Sequence, residues 1–416
     1  MSHPLPRRTL LAAGTAALAS AGTAPAALAE RRDRAVPFTL RATVLDGGQQ
    51  VTAVQLDGSR LGGLRRGELP TDAFIVHARA TNPLTGDIAY DADRTVTAAR
   101  IDHRGTITLE LEHGDGVESA ATLSYLGDLG RNVQLDLEYT LTQEQDLPRH
   151  GRGGARIESF AQGELVDEEV DAFTAHVSAS GMAYHLLTPH PSGGGADGHA
   201  VVVWLHGGGE GGLGEDGTDR YVTETPLRAN RGALGFGTQE AQDLLGGALV
   251  VVPQCPSAWM LDGDAFVPLV SEIIEEVAAS HRVDRSRIHV TGCSNGGYMS
   301  LKMIVEHPGA FASATPICGV VGSYYDSAGP LVTDEQLRAI ATPTWLITSA
   351  DDTTVDPVAN TVHAHELIPG SIMSLYDTVT WEGVQYPGHF SWIYAARNDP
   401  SHAGRSLWEW MAAQEL

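Results

Sequence analysis

Two textures of apolar and polar positions divide this chain. Between about residues 37 and 165, short runs alternate with a period of two, as in Phe38 to Val44, Thr95 to Ala99, Thr106 to Leu111 and Val133 to Tyr139. Turn clusters such as Asp46-Gly47-Gly48 and His113-Gly114-Asp115-Gly116 punctuate them. Period two with such punctuation predicts several short strands packed as a β-sandwich. Residues 145–163, with Gly151-Arg152-Gly153-Gly154, read as the linker that follows.

From about residue 166 the pattern changes. Strand-like Val170 to Val177 and Ala183 to Leu187 open an antiparallel start. Continuous apolar runs then appear at Ala200 to Leu205, Val250 to Cys255, Arg287 to Thr291 and Pro343 to Ala350. Runs of that length suit strands covered on both faces. Between them lie helix-spaced positions, among them Phe266, Leu269, Ile273, Ile274 and Val277. Strand and helix in alternation predict an α/β fold with a mostly parallel sheet, whose C-terminal edge carries the site.

The N-terminus differs from both parts. Pro6-Arg7-Arg8-Thr9 starts a twin-arginine pattern, a small-apolar run follows from Leu10 to Leu18, and Ala27-Leu28-Ala29 offers a cleavage site before Glu30. The expected division is a signal peptide at 1–29, a β-domain at 37–165 and an α/β domain at 166–416, in an exported protein without stable membrane insertion. Net charge changes the picture of partners: it is −25 over 416 residues, with Lys302 as the only lysine. So acidic a surface disfavours nucleic acid and anionic membranes.

Candidate chemistry sits on the α/β part. Gly292-Cys293-Ser294-Asn295-Gly296 matches the nucleophile-elbow pattern G-x-S-x-G between a predicted strand and the predicted helix 297–305. The small residues around Ser294 are expected to permit unusual backbone angles at a sharp turn. Upstream, the apolar run to Leu205 ends in His206-Gly207-Gly208-Gly209, whose backbone N–H groups could face an oxyanion. His206 reads as a structural residue of that loop. Downstream, the run to Ala350 meets Asp351 and Asp352, two candidates for the carboxylate that orients a histidine. Four histidines follow: His363 and His365 on a helix, His402 in a turn, and His389 in a Gly-His-aromatic loop. The loop suits an imidazole held over a pocket, so His389 is the expected base.

On these strings, with Asp352-Thr353-Thr354-Val355 and Gly388 to Tyr394, residues from about 170 to 416 resemble an α/β-hydrolase of a secreted esterase and depolymerase-like group, related to prolyl-oligopeptidase-like proteins. Some members carry an N-terminal immunoglobulin-like domain, which the resemblance implies for 37–165. It further implies Ser294 as nucleophile, His389 as base, and Gly207, Gly208 and Asn295 as the oxyanion candidates. Asp352 is favoured over Asp351 because the acid in related hydrolases is commonly followed three residues later by Val, here Val355. Only about two dozen residues separate the strand near Cys318 from Pro343, too few for an inserted lid, which suggests an open site for short-chain or polymeric esters. Glu210, Trp259 and Trp392 are candidates to touch substrate. No cofactor or metal is expected.

Gly212 to Gly217 formally matches G-x-G-x-x-G but does not join a strand directly to a helix, and Glu210, Glu215, Asp216 and Asp219 lack calcium-loop spacing. Cys255, Cys293 and Cys318 could form one disulfide or remain buried thiols. Two other function classes stay open. A serine peptidase would share the fold and residue order, although residues before 165 are too few for a propeller. A non-enzymatic surface-binding protein would place the function in the β-domain. Sequence leaves the oligomeric state open.

Overall fold

A computed structural model describes residues 35–151, 153–189, 198–212, 223–323, 327 and 329–416. The leader at 1–29, Glu215, Asp216, Asp219 and most of the G-x-G-x-x-G match lie outside them. By internal contacts the described chain forms two units. One comprises Tyr125–Asn132 with Ala172–Leu416, and the other comprises 35–124 with Val133–Asp171. None of the described helices is long and apolar enough to cross a membrane.

The earlier unit is built of strands. Six of them form a sheet in the order Phe160–Val166, Val36–Leu45, Gly48–Asp57, Thr106–Leu111, Val96–Ile101, Gly67–Leu69, and three form another in the order Asp136–Gln143, Phe74–Thr81, Ile88–Arg94. Every second residue of Val36–Leu45 is buried, the signature of a strand with one face on a core. Phe38, Leu40, Val54 and Ile107 from the larger sheet share one core with Val76, Ala78 and Tyr139 from the smaller. Two sequence readings change. Phe160–Val166 pairs in parallel with Val36–Leu45, so the end of the expected linker is an edge strand. The run expected from Val133 to Tyr139 breaks at Leu135 into Arg131–Gln134 and Asp136–Gln143.

The later unit centres on eight strands: β1 (Thr174–Val177), β2 (Ala183–Leu187), β3 (His199–Leu205), β4 (Leu249–Gln254), β5 (Val283–Cys293), β6 (Ser313–Ile317), β7 (Trp345–Ser349) and β8 (Ile372–Tyr376). Their spatial order is β1-β2-β4-β3-β5-β6-β7-β8. β2 runs antiparallel to both neighbours, and β4 to β8 run parallel with β3. β4, β6 and β7 are buried at every residue, which explains their unbroken apolar runs. The helix Gly263–Ser280 buries Phe266, Val270, Ile273, Ile274 and Val277, and Asp262 caps it by accepting from the Ala265 N–H.

Register fixes where the functional loops emerge. Leu205 of β3 pairs with Gly292 of β5, and Cys293 pairs with Ile317 of β6. The chain therefore leaves these three strands at one level, placing the His206 loop, Ser294 and Cys318 side by side.

Candidate active site

Ser294 sits between β5 and the helix Asn295–Glu306, with φ 54° and ψ −113°. A non-glycine residue there is strained by about 1 to 3 kcal/mol, and such strain persists only where its surroundings enforce it. The enforcement is visible: the Ser294 N–H donates to Ile317 O at 2.8 Å, and Ser294 O accepts from the Tyr298 N–H at 3.0 Å. The elbow glycines serve a different purpose from the one expected. Neither Gly292 nor Gly296 has positive φ. A Cβ at Gly292 would lie 2.4 Å from Leu205 O, and one at Gly296 would lie 1.9 Å from it. These glycines allow the elbow to press against the end of β3, while the unusual angle falls on the serine.

Of the two aspartates after β7, Asp352 meets the imidazole. Its Oδ2 lies 2.8 Å from His389 Nδ1, and its Oδ1 accepts from the N–H groups of Thr354 and Val355 at 2.8 and 2.9 Å. The Asp352 side chain has no exposed surface, and that of His389 is 12% exposed. Asp351 instead accepts from the Ser349 hydroxyl and packs so closely on Gly388 that a Cβ there would lie 2.3 Å from its Oδ1. The other downstream histidines are engaged elsewhere: His363 with Asp334, and His365 with Ser371. His402 is exposed in the Ser401–His402 strand.

Cys318 ties His389 to the nucleophile's side of the sheet. Its Sγ donates to His389 O at 3.4 Å, one residue beyond the Ile317 carbonyl that holds Ser294. Burial alone would lower the His389 pKa; its neighbours Cys318 and Asp352 outweigh it and raise it. Among the described residues, Cys318, Asp352 and His389 are also the one group with metal-donor atoms within 4.8 Å of one another. Two of those three are already committed to each other through the 2.8 Å bond. All three cysteines are buried free thiols.

The loop after β3 is organised by its carbonyls. His206 Nδ1 lies 2.6 Å from Gly207 O, while Nε2 accepts from the Cys255 N–H at 2.9 Å. That pattern requires a neutral imidazole with its proton on Nδ1, and burial, which lowers the His206 pKa to about 4, keeps it so. Because a peptide's C=O and N–H point oppositely across one plane, fixing Gly207 O aims the Gly208 N–H the other way. The Asn295 N–H belongs to the first turn of its helix, where no intrahelical acceptor exists. Its side-chain carbonyl accepts from the Met260 N–H at 2.9 Å.

Glu210, Trp259 and Trp392, the expected substrate contacts, differ in where they stand. The Gly207 N–H lies on the Glu210 side of the loop and favours its carboxylate form. Glu210 lies under the loop: a Cβ on Gly207 would be 2.9 Å from its Oε2, and Asn132 Nδ2 donates to its Oε1 at 3.2 Å. It is buried against the loop. Trp259 is fully buried, donates from Nε1 to His206 O at 3.1 Å and meets Phe266 edge-on. It supports His206 and forms no exposed wall. Trp392 does stand beside His389, edge-on at 5.5 Å between ring centroids.

Burial pushes the Glu210 carboxyl up to about 7; the Gly207 N–H, Arg131, Asn132 and His389 oppose the rise. The folded protein thus holds a proton that the unfolded chain releases near the ordinary carboxyl range. Stability is fully present below that range and falls as pH rises through about 7, by about 3 kcal/mol in all. Glu210→Gln removes this titration. Thermal melts at about pH 5 and pH 8 are expected to separate less in the variant than in the wild type, and an unchanged separation would contradict this origin.

Arg131 and Asn132 were invisible to sequence reading. They stand 77 or more residues before the loop they touch, in a stretch without any motif.

Comparisons with known proteins agree with this fold. The prolyl oligopeptidase family profile matches residues 261–334, a span that includes Ser294. Poly(3-hydroxyalkanoate) depolymerase C of Paucimonas lemoignei is 38% identical over 50 residues, 12% of each chain. NocK of Nocardia uniformis subsp. tsuyamanensis, designated an esterase, is 29% identical over 96 residues, 21% of this chain and 28% of that one. The matches thus span 12% and 28% of these relatives' length. A solved thermostable esterase superimposes with a TM-score of 0.69 at 24% identity, covering 91% of this chain and 99% of that one. The eight-stranded order, the elbow and this superposition together give the later unit an α/β-hydrolase fold.

Proposed function

We propose that this chain is an exported serine hydrolase of carboxylic esters, with Ser294 as nucleophile, His389 as base and Asp352 as the orienting acid. The observation that carries the reading is the 2.8 Å bond between His389 Nδ1 and the fully buried Asp352 Oδ2, at the sheet edge where Ser294 is held in a strained elbow. With Nδ1 so engaged, Nε2 takes the proton of the Ser294 hydroxyl as it attacks the carbonyl carbon. The N–H groups of Gly208 and Asn295 receive the developing oxyanion, each worth roughly 3 to 4 kcal/mol of barrier. Imidazolium then protonates the departing alcohol. Water repeats the cycle and releases the acid.

Short-chain or polymeric esters are the proposed substrates. The brief connection between Cys318 and Pro343 favours an open approach, and the names of the partial relatives point the same way. The twin-arginine pattern and Ala27-Leu28-Ala29 support export, and the paired sheets of the earlier unit support an immunoglobulin-like label. A peptidase reading has one observation in its favour, the prolyl oligopeptidase profile over residues 261–334.

Hydrolysis of p-nitrophenyl esters of increasing acyl length, beside a prolyl peptide amide, separates the readings. Ester cleavage that is fastest for short chains is expected. Amide cleavage without ester cleavage would move the protein to the peptidases, and silence on both would remove the enzyme reading.

A further inference from the structure

We propose that Arg131 is a positioning residue for ester hydrolysis, fixing the oxyanion loop through the Gly208 carbonyl. The inference rests on the hydrolase reading above and assigns a part of its machinery to a residue outside every motif.

The segment Tyr125–Asn132 belongs to the same compact unit as the α/β core. Its Arg131 is half-buried and gives four of its five N–H donors to backbone carbonyls. Nη1 donates to Gly208 O at 2.9 Å and to Gly130 O at 3.0 Å, Nη2 to Ser257 O at 2.7 Å, and Nε to Gly212 O at 3.3 Å. One planar, permanently charged group therefore joins both ends of the glycine loop to the loop after β4. Lysine offers no such fork.

The carbonyl of Gly208 shares its peptide plane with the Gly209 N–H, which Arg131 thereby aims away from itself. His206 performs the same service one peptide earlier, through Gly207 O at 2.6 Å. Two successive N–H groups, of Gly208 and Gly209, are thus oriented by two fixed donors on the far side of the chain. With the peptides on both sides of Gly208 held, the Gly208 N–H proposed for the oxyanion keeps its direction, and the guanidinium also polarises the peptide that follows it. Space is tightest at Gly211, where a Cβ would meet Ser257 O at 2.0 Å; one at Gly209 would meet the Asn132 side chain at 2.8 Å. The glycines contribute no side chains to hold the loop's shape, and the Arg131 bonds to Gly208 O and Gly212 O clamp it from outside.

Such a clamp acts when charge develops on the carbonyl oxygen and not when neutral substrate binds, so its loss should appear in kcat. The test uses the full chain as Arg131→Lys and Arg131→Ala, with every rate normalised to sites titrated by a phosphonate, so that unfolded molecules drop out. Per titrated site, kcat on a short-chain p-nitrophenyl ester is expected to fall about 10- to 100-fold, with KM within about twofold. Affinity for a boronic acid that forms a tetrahedral adduct should fall in step with kcat, and guanidinium ion should restore part of the activity of Arg131→Ala but not of a Gly208→Ala control. Wild-type kcat per titrated site in both variants would overturn the proposal, as would a loss confined to KM. A wild type silent on every ester would sink the hydrolase reading itself, and the role of Arg131 with it.

Discussion

Ser294→Ala is expected to lower kcat for ester hydrolysis by about 10⁶-fold, the scale on which removal of a serine nucleophile acts elsewhere. Substrate affinity should survive, because the base, the acid and the oxyanion loop are held by bonds that do not involve the hydroxyl. Those bonds are the Asp352 to His389 contact at 2.8 Å, the Gly207 O to His206 contact at 2.6 Å and the Ser294 N–H to Ile317 O bond at 2.8 Å. Alanine inherits the φ of 54° and with it the same backbone strain, so stability should change by less than about 0.5 kcal/mol. Steady-state kinetics with a thermal melt on the same preparation checks both halves. A variant that is inactive but also unfolded would not bear on the nucleophile, whereas a folded variant with wild-type kcat would remove Ser294 from the mechanism.

Asp352→Asn should cost about 10⁴-fold in kcat, because an amide in place of the carboxylate favours the wrong imidazole tautomer. It also changes the pH profile, and the sign follows from charge. Burial favours neutral His389, while Asp352 and Cys318 raise its pKa. Taking away the carboxylate lowers that pKa, so the rising limb of the residual kcat/KM should move to lower pH. Asp351→Asn serves as the contrast. Asp351 is occupied by the Ser349 hydroxyl, so its loss should leave the limb in place. A limb that moves only in the Asp351 variant would transfer the orienting role to that residue.

Much of the α/β unit was legible because its determinants are local. Strands buried at every residue leave continuous apolar runs, and a residue caught between a strand and a helix with glycines on either side leaves the elbow pattern. Asp351 and Asp352 both follow β7, and the deciding fact is which carboxylate turns toward Gly388 and which toward His389. What sequence could not reveal depends on approach in space. Glu210 looked like a substrate contact by proximity along the chain, yet a 3₁₀ turn over Gly208–Glu210 folds its side chain back under Gly207. Trp259 looked like an aromatic wall, yet its indole N–H is needed by His206 O. The glycines of the elbow were expected to supply backbone freedom, and they supply closeness to Leu205 O instead. Arg131 carries no local signal at all: its meaning lies in three carbonyls reached by one guanidinium across 77 to 126 positions of chain.

The central claim is that Ser294 attacks the carbonyl and carries the acyl group. Labelling the native protein with an alkyl fluorophosphonate, followed by peptide-level mass spectrometry, addresses it directly. The account predicts one phosphonyl adduct, on the serine of Gly292-Cys293-Ser294-Asn295-Gly296, with ester turnover lost in proportion to labelling. Full turnover by protein that takes up no label, or an adduct on another residue that accounts for the lost activity, would contradict it.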